Sequence, residues 1–263
     1  MTVVKICGIT ELEQACCALQ AGADLLGFVL APSRRRLPAE VVAEILLHCR
    51  RSFPPDQRPW QAVGVFANQP LAFVQRAGLE AGLDCLQLSG EEPPDYCLQL
   101  SLPLFKALHL PAIAPAGWKA VGPNSRSRSG RRKEPAPTGP SAALSPQLSA
   151  LRTEPELRPL STAYLEEARR EYGASRLLLD CGGSGRWGGT GLSFAWETVG
   201  EAARDCLVAG GLDPENVATA IATMRPWGVD VSSGVERDGK KDRELIERFI
   251  HQAKGSDHHG NLG

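Results

Sequence analysis

Along the first hundred residues, short unbroken apolar runs alternate with stretches whose apolar residues recur at helical spacing. Val3, Val4, Ile6 and Cys7 form the first run, broken by Lys5, and it stops at Gly8, as a strand buried on both faces does. Thr10-Glu11-Leu12-Glu13 then has capping-box spacing, with Leu12, Ala15, Cys16 and Leu19 on one helical face before Gly22. The alternation continues with a strand at 23–30, then a helix opened by Pro38 that carries Val42, Ile45, Leu46 and Cys49. A strand at 61–66 precedes the face Pro70, Phe73, Val74, Ala77. A strand at 85–89 precedes Pro93, Tyr96, Cys97, Leu100, and 104–108 is a fifth strand.

The pattern lapses over 111–159, which is rich in Pro, Ser, Ala, Gly and Arg and lacks apolar periodicity. Few residues there offset the entropy of ordering, so the reading is a disordered, solvated insertion. Its run Arg126-Ser127-Arg128-Ser129-Gly130-Arg131-Arg132-Lys133 is the one feature that would suit RNA or phosphate. Periodicity returns with a helix from Ser161 (Tyr164, Leu165, Ala168) and the strand Leu177-Leu178-Leu179-Asp180. A Gly-rich loop at 181–191, a helix over 194–203, and a strand at 206–211 follow. Asp213-Pro214 caps a helix bearing Val217, Ala220, Ile221 and Met224; a strand at 228–233 precedes a last helix from Asp242 with Leu245, Ile246 and Phe249. Eight strand and helix pairs predict an α/β protein of the (β/α)8 TIM-barrel class, with the open doubly wound sheet as the alternative. The expected organisation is one barrel in two parts, 1–110 and 160–254, with the insertion at 111–159 after the fifth strand and a flexible tail at 255–263.

Composition narrows the partners. A chain of 263 residues with a net charge of -1 offers no global field for nucleic acid or an anionic membrane. No apolar run approaches the ~20 residues that span a bilayer, and no signal-peptide pattern opens the chain; a soluble, cytoplasmic protein is expected. The 8 cysteines show no C-x-x-C spacing and read mostly as small buried hydrophobes, with no metal site.

Chemistry in a parallel barrel gathers at the carboxyl ends of the strands. The polar residues there are Cys7, Arg35 in the second loop, Asp180 after the sixth strand, and Asp230 with Ser232 and Ser233 at the eighth. Gly183, Gly185 and Gly188 spell G-x-G-x-x-G, but the apolar helix begins only near Phe194, so the run does not open a helix as a dinucleotide fingerprint must. Gly210-Gly211 and Ser232-Ser233-Gly234, after strands seven and eight, suit a phosphate held by backbone N–H groups.

The strings Lys5-Ile6-Cys7-Gly8-Ile9-Thr10, Gln87-Leu88-Ser89-Gly90-Glu91-Glu92, Leu179-Asp180, Gly188-Gly189-Thr190-Gly191, Gly210-Gly211-Leu212-Asp213-Pro214-Glu215-Asn216-Val217 and Val229-Asp230-Val231-Ser232-Ser233-Gly234-Val235-Glu236 resemble the phosphoribosylanthranilate isomerases of tryptophan biosynthesis. The resemblance spans nearly everything but the insertion. It implies a (β/α)8 barrel that converts N-(5-phosphoribosyl)anthranilate to 1-(2-carboxyphenylamino)-1-deoxyribulose 5-phosphate by an Amadori rearrangement, without cofactor or metal. It further implies a phosphosugar as substrate, no membrane or nucleic-acid partner, and a monomer or homodimer.

Carried over residue by residue, the resemblance makes Cys7 the general base and Asp180 the general acid. The base role asks for a lowered thiol pKa and the acid role for a raised carboxyl pKa. Arg35, with Arg34 and Arg36 leaving the register open by one residue, would pair with the anthranilate carboxylate. Gly211, Ser232, Ser233 and Gly234 would cradle the phosphate, and Asp230 would face the pocket. Two departures stand out: Ser89 replaces a usual His, and Leu192 and Ala195 replace polar residues. The other readings are a sibling phosphosugar barrel working through paired acids or a catalytic lysine, and a phosphate- or RNA-binding protein acting through the insertion.

Overall fold

The computed structural model describes residues 1–110, 161–180 and 199–255. Eight parallel strands close into a barrel in chain order: β1 Val3–Cys7, β2 Leu25–Val29, β3 Gln61–Phe66, β4 Cys85–Leu88, β5 Leu104–His109, β6 Arg176–Asp180, β7 Leu207–Ala209 and β8 Gly228–Val231. Between them run α1 Leu12–Ala21, α2 Ala39–Ser52, α3 Leu71–Glu80, the single turn α4 Pro94–Cys97, α5 Thr162–Glu171 and α6 Val217–Met224, and α7 Arg243–Gly255 follows β8. Two 3-10 turns, Gly200–Asp205 and Ser233–Val235, and a small hairpin of β9 Glu236–Arg237 with β10 Lys240–Lys241 complete the described elements.

Strand side chains alternate between the barrel interior and the helix layer. Leu25, Val63, Cys85 and Phe105 pack together in one interior cluster, and Ala107, Leu178, Leu207 and Ala209 in another. Outside, α7 turns Ile246, Phe249, Ile250 and Ala253 inward and lies against α1. Burying Phe249 or Ile250 contributes about 2–3 kcal/mol each. Interior positions nearest the strand carboxyl ends are therefore where polar groups can meet a ligand.

Local chemistry shifts several boundaries. Thr10 does not cap α1. Gln14 reaches back instead, its Oε1 accepting from the Thr10 N–H at 2.9 Å and hydroxyl at 3.2 Å, and the helix begins at Leu12. The buried face of α1 is Gln14, Ala15, Cys17, Ala18 and Leu19, while Leu12 is exposed. Asp213 closes the turn before α6, accepting from the N–H groups of Glu215 and Asn216, rather than capping the helix itself. Ser161 and Asp242 do cap α5 and α7. The expected insertion, the Gly-rich loop with Leu192 and Ala195, and the tail from 256 lie outside the described residues, and Gly255 still belongs to α7. Of the helix read at 194–203, the described part is a 3-10 turn. No described helix is long and apolar enough to cross a membrane.

Candidate active site

Cys7 ends β1, two residues above Lys5 on the same face of the strand. Lys5 pairs in register with Asp230 of β8, and its Nζ lies 3.0 Å from both carboxylate oxygens. Both side chains are buried. Burial alone would lower the Lys5 pKa, but Asp230 and the neighbouring sulfur outweigh it and hold the ammonium charged. Burial pushes the Cys7 thiol up, with Lys5 pulling the other way. This reverses the lowered thiol that the sequence reading asks for: the lysine beside the sulfur already has a carboxylate counter-ion, so little of its charge remains to favour a thiolate. The sulfur lies over Gly27 of β2, where any Cβ would come within 2.9 Å of Sγ.

Above Cys7, Gly8 takes a φ of +80°, and a Cβ there would meet the Arg35 side chain at 2.5 Å. Of the three consecutive arginines, Arg35 is thus the one laid across the chain at Cys7. Its guanidinium forks onto Glu236 (Nε to Oε1 2.7 Å, Nη2 to Oε2 2.9 Å), and the more exposed Arg34 joins the same carboxylate. Buried Lys241 donates to Glu236 Oε1 at 3.0 Å and to the Ser232 carbonyl at 2.9 Å. Burial would raise the Glu236 carboxyl, but these cations hold it below the ordinary carboxylate range. The loops after β7 and β8 meet backbone to backbone: a Cβ on Gly234 would run into the Leu212 carbonyl, and Gly210 and Gly211 both take positive φ. Ser232, Ser233, Gly234 and Gly211 so form one edge of the barrel mouth.

Asp180 ends β6 opposite His109, the last residue of β5, with which it pairs in register. His109 Nδ1 is 3.5 Å from Asp180 Oδ2, and Nε2 is 2.7 Å from the Ser89 carbonyl. Gln87 Nε2 donates to Ser89 Oγ at 3.0 Å. Among the described residues, no three His, Cys, Asp or Glu side chains come together to hold a metal.

Comparison with known proteins decides the family. The model of N-(5'phosphoribosyl)anthranilate (PRA) isomerase matches residues 4–117 and 148–252. The chain belongs to the phosphoribosylanthranilate isomerase family. It is 39% identical to the N-(5'-phosphoribosyl)anthranilate isomerase of Desulfitobacterium hafniense, over 97% of this chain and 98% of that one. It is 38% identical to that of Geobacter sp., again over 97% and 98%. The barrel is similar to the phosphoribosyl anthranilate isomerase of Thermotoga maritima, at a TM-score of 0.68 and 30% identity over 97% of this chain and 100% of that one. A solved phosphoribosyl anthranilate isomerase complex with reduced 1-(o-carboxyphenylamino)-1-deoxyribulose 5-phosphate matches at a TM-score of 0.65 and 29% identity, covering 97% and 100%.

Within this isomerase, the described residues singled out from sequence as site candidates lie toward strand carboxyl ends or in the loops directly after them. Asp230 is tied to Lys5 rather than standing free toward the mouth. Lys5, His109, Glu236 and Lys241 escaped the sequence reading. A lysine in phase with Cys7 inside an apolar run was the signal for Lys5. His109 fell one residue beyond the strand as read. The Asp238-Gly239 pair, which forms the turn between β9 and β10 with φ values of +53° and +79°, was the signal for the hairpin that carries Glu236 and Lys241.

Proposed function

We propose that this isomerase converts N-(5-phosphoribosyl)anthranilate to its 1-deoxyribulose product by an Amadori rearrangement, with Asp180 as general acid and Cys7 as general base. Asp180 protonates the furanose ring oxygen while the C1–O bond breaks, and the anthranilate nitrogen supplies the electron pair that leaves an iminium. Cys7 then takes the C2 proton, and the resulting enolamine tautomerises to the ketone. Because the substrate's own nitrogen is the electron sink, the reaction needs no cofactor, and the enzyme is assigned to the cytoplasm. One acid and one base suffice, each contributing about 10²–10⁴-fold.

The observation that carries this reading is Cys7 stacked directly above the buried Lys5–Asp230 pair. A thiol pushed up by burial is a poor base until a positive charge arrives. Ring opening supplies one: the iminium forms beside the sulfur and favours thiolate when the C2 proton must leave. Arg35, with its remaining N–H groups, meets the anthranilate carboxylate, and Gly211, Ser232, Ser233 and Gly234 take the phosphate. The phosphosugar ligand in the related complex supports that class of substrate, and a similar solved structure is of monomers generated from the dimeric Thermotoga maritima enzyme.

The test follows the anthranilate fluorescence of freshly generated phosphoribosylanthranilate. The wild-type chain should quench it rapidly, while Cys7→Ala and Asp180→Asn, folded by circular dichroism, should lose at least about 10²-fold in kcat. An active Asp180→Asn enzyme would remove the assigned acid. A folded wild-type chain with no turnover would bring forward a sibling phosphosugar substrate.

A further inference from the structure

His109 and Asp180 are direct neighbours in the β5–β6 ladder, and alternation turns both into the barrel mouth. The ring's contacts fix its chemistry. A carbonyl oxygen only accepts, so the 2.7 Å approach of Nε2 to Ser89 O places a hydrogen on Nε2. Nδ1 is therefore the nitrogen that gains or loses a proton, and it faces Asp180 Oδ2 at 3.5 Å. The anchoring residue is itself held, its N–H on the Phe66 carbonyl and its hydroxyl on Gln87. A contact of this length in a ligand-free site shortens readily when substrate arrives.

We propose that His109 is a positioning residue for Asp180, holding on Nδ1 the proton that recharges the acid during ring opening. The inference rests on Asp180 as the general acid. As Asp180 gives its proton to the ring oxygen, the electrons of the C1–O bond pass to that oxygen. The carboxylate left behind takes the Nδ1 proton, and the imidazolium becomes a neutral imidazole whose Nε2–H never leaves Ser89. Water then returns a proton to Nδ1, 42% of the side chain being open to solvent.

The need is plain from ordinary acidities. An isolated aspartic acid is protonated in roughly one molecule in a thousand at pH 7, whereas an imidazole, ordinarily titrating near ~6.5, keeps a usable fraction. The groups facing His109 favour the charged ring. Asp180 on β6 raises it most and the Ser89 carbonyl adds to that, against partial burial and the Lys106 charge on its own strand. Where this chain carries a hydroxyl at 89, the ring comes instead from the next strand and grips the backbone of that position.

The experiment measures single-turnover fluorescence decay from pH 5 to pH 9 for wild type, His109→Ala, His109→Gln and Asp180→Asn. His109→Ala should lose about ten- to a hundredfold in rate at pH 7.5 with KM within about threefold, and the deficit should shrink as pH falls. The bend at which the rate stops rising with pH should move to lower pH. His109→Gln, which keeps a donor for Ser89 but stores no proton, should behave like His109→Ala. Restoration by Gln, or an unchanged pH profile in both variants, overturns the proposal while leaving Asp180 as the acid. An active Asp180→Asn enzyme overturns both.

Discussion

Lys5 and Lys106 are both buried in this barrel against carboxylates, and they serve opposite faces of the strands. Lys5 points inward to Asp230, with the Cys7 sulfur as its third neighbour. Lys106, on β5, is in the opposite phase and points into the helix layer. Its Nζ lies 2.8 Å from Glu92 and 2.7 Å from the Gly90 carbonyl, and it sits 5.6 Å over the Tyr172 ring. Glu92 in turn accepts from the Asn68 N–H at 2.7 Å. One pair thus supports a thiol, and the other ties the loops after β3 and β4 to the end of α5. Burial and charge pairing are nearly the same in the two, so neither marks a catalytic site. They differ in the third partner: a titratable sulfur on one side, a backbone carbonyl and an aromatic face on the other.

The largest expected break comes at the inner pair. Lys5→Met should lower kcat at least about 10²-fold, because Asp230 is left as an unpaired buried carboxylate beneath the sulfur and its charge opposes thiolate. The sign is definite. Burial already pushes the Cys7 thiol up, and without the opposing lysine its ionisation should move higher still. Ultraviolet thiolate absorbance, wild type minus Cys7→Ser, reads it; an unmoved or lowered titration would dissociate Lys5 from the thiol.

At the outer pair the effect should fall on stability instead. Lys106→Met leaves Glu92 buried and unpaired and should cost about 3–5 kcal/mol in urea unfolding, while kcat of the folded fraction stays within about threefold. Replacing both partners, Lys106→Met with Glu92→Leu, should recover much of that loss. If the single variant instead lost turnover at unchanged stability, the contrast between the two lysines would collapse.

A third buried lysine, Lys241, falls between them. It steadies Glu236, which holds Arg35, and contacts the Ser232 carbonyl. Lys241→Met should raise KM about three- to tenfold with a smaller change in kcat, because it loosens Arg35 and the Ser232 loop, the groups proposed to orient the substrate. Steady-state kinetics checks this, and a pure kcat defect would move Lys241 to the Cys7 side of the comparison.

The barrel was legible because continuous apolar strands and one-sided helices repeat with unmistakable periods. The strand carrying Leu177, Leu178 and Leu179 needed nothing but its own sequence. The placement of Cys7, Asp180 and the Gly211 and Ser232 loops at the carboxyl ends was legible because it follows from the strand order alone. What escaped was decided across the chain. Asp230 looked like a free pocket acid until β8 was registered on β1, which brings Lys5 to it. The raised Cys7 thiol depends on that same neutralised lysine. His109 was hidden by one residue of strand length, set by its pairing with Asp180 and not by its own propensity.

Lys5 and Asp230 stand 225 positions apart, on the strands whose pairing closes the barrel. During synthesis the first strand must therefore wait, its lysine without its counter-ion, until the eighth strand has left the ribosome. Such late, non-local closure is slow and exposes strand edges while it is pending. A chain truncated before its eighth strand holds Cys7 and Asp180 and still lacks the buried charge pair beneath the sulfur.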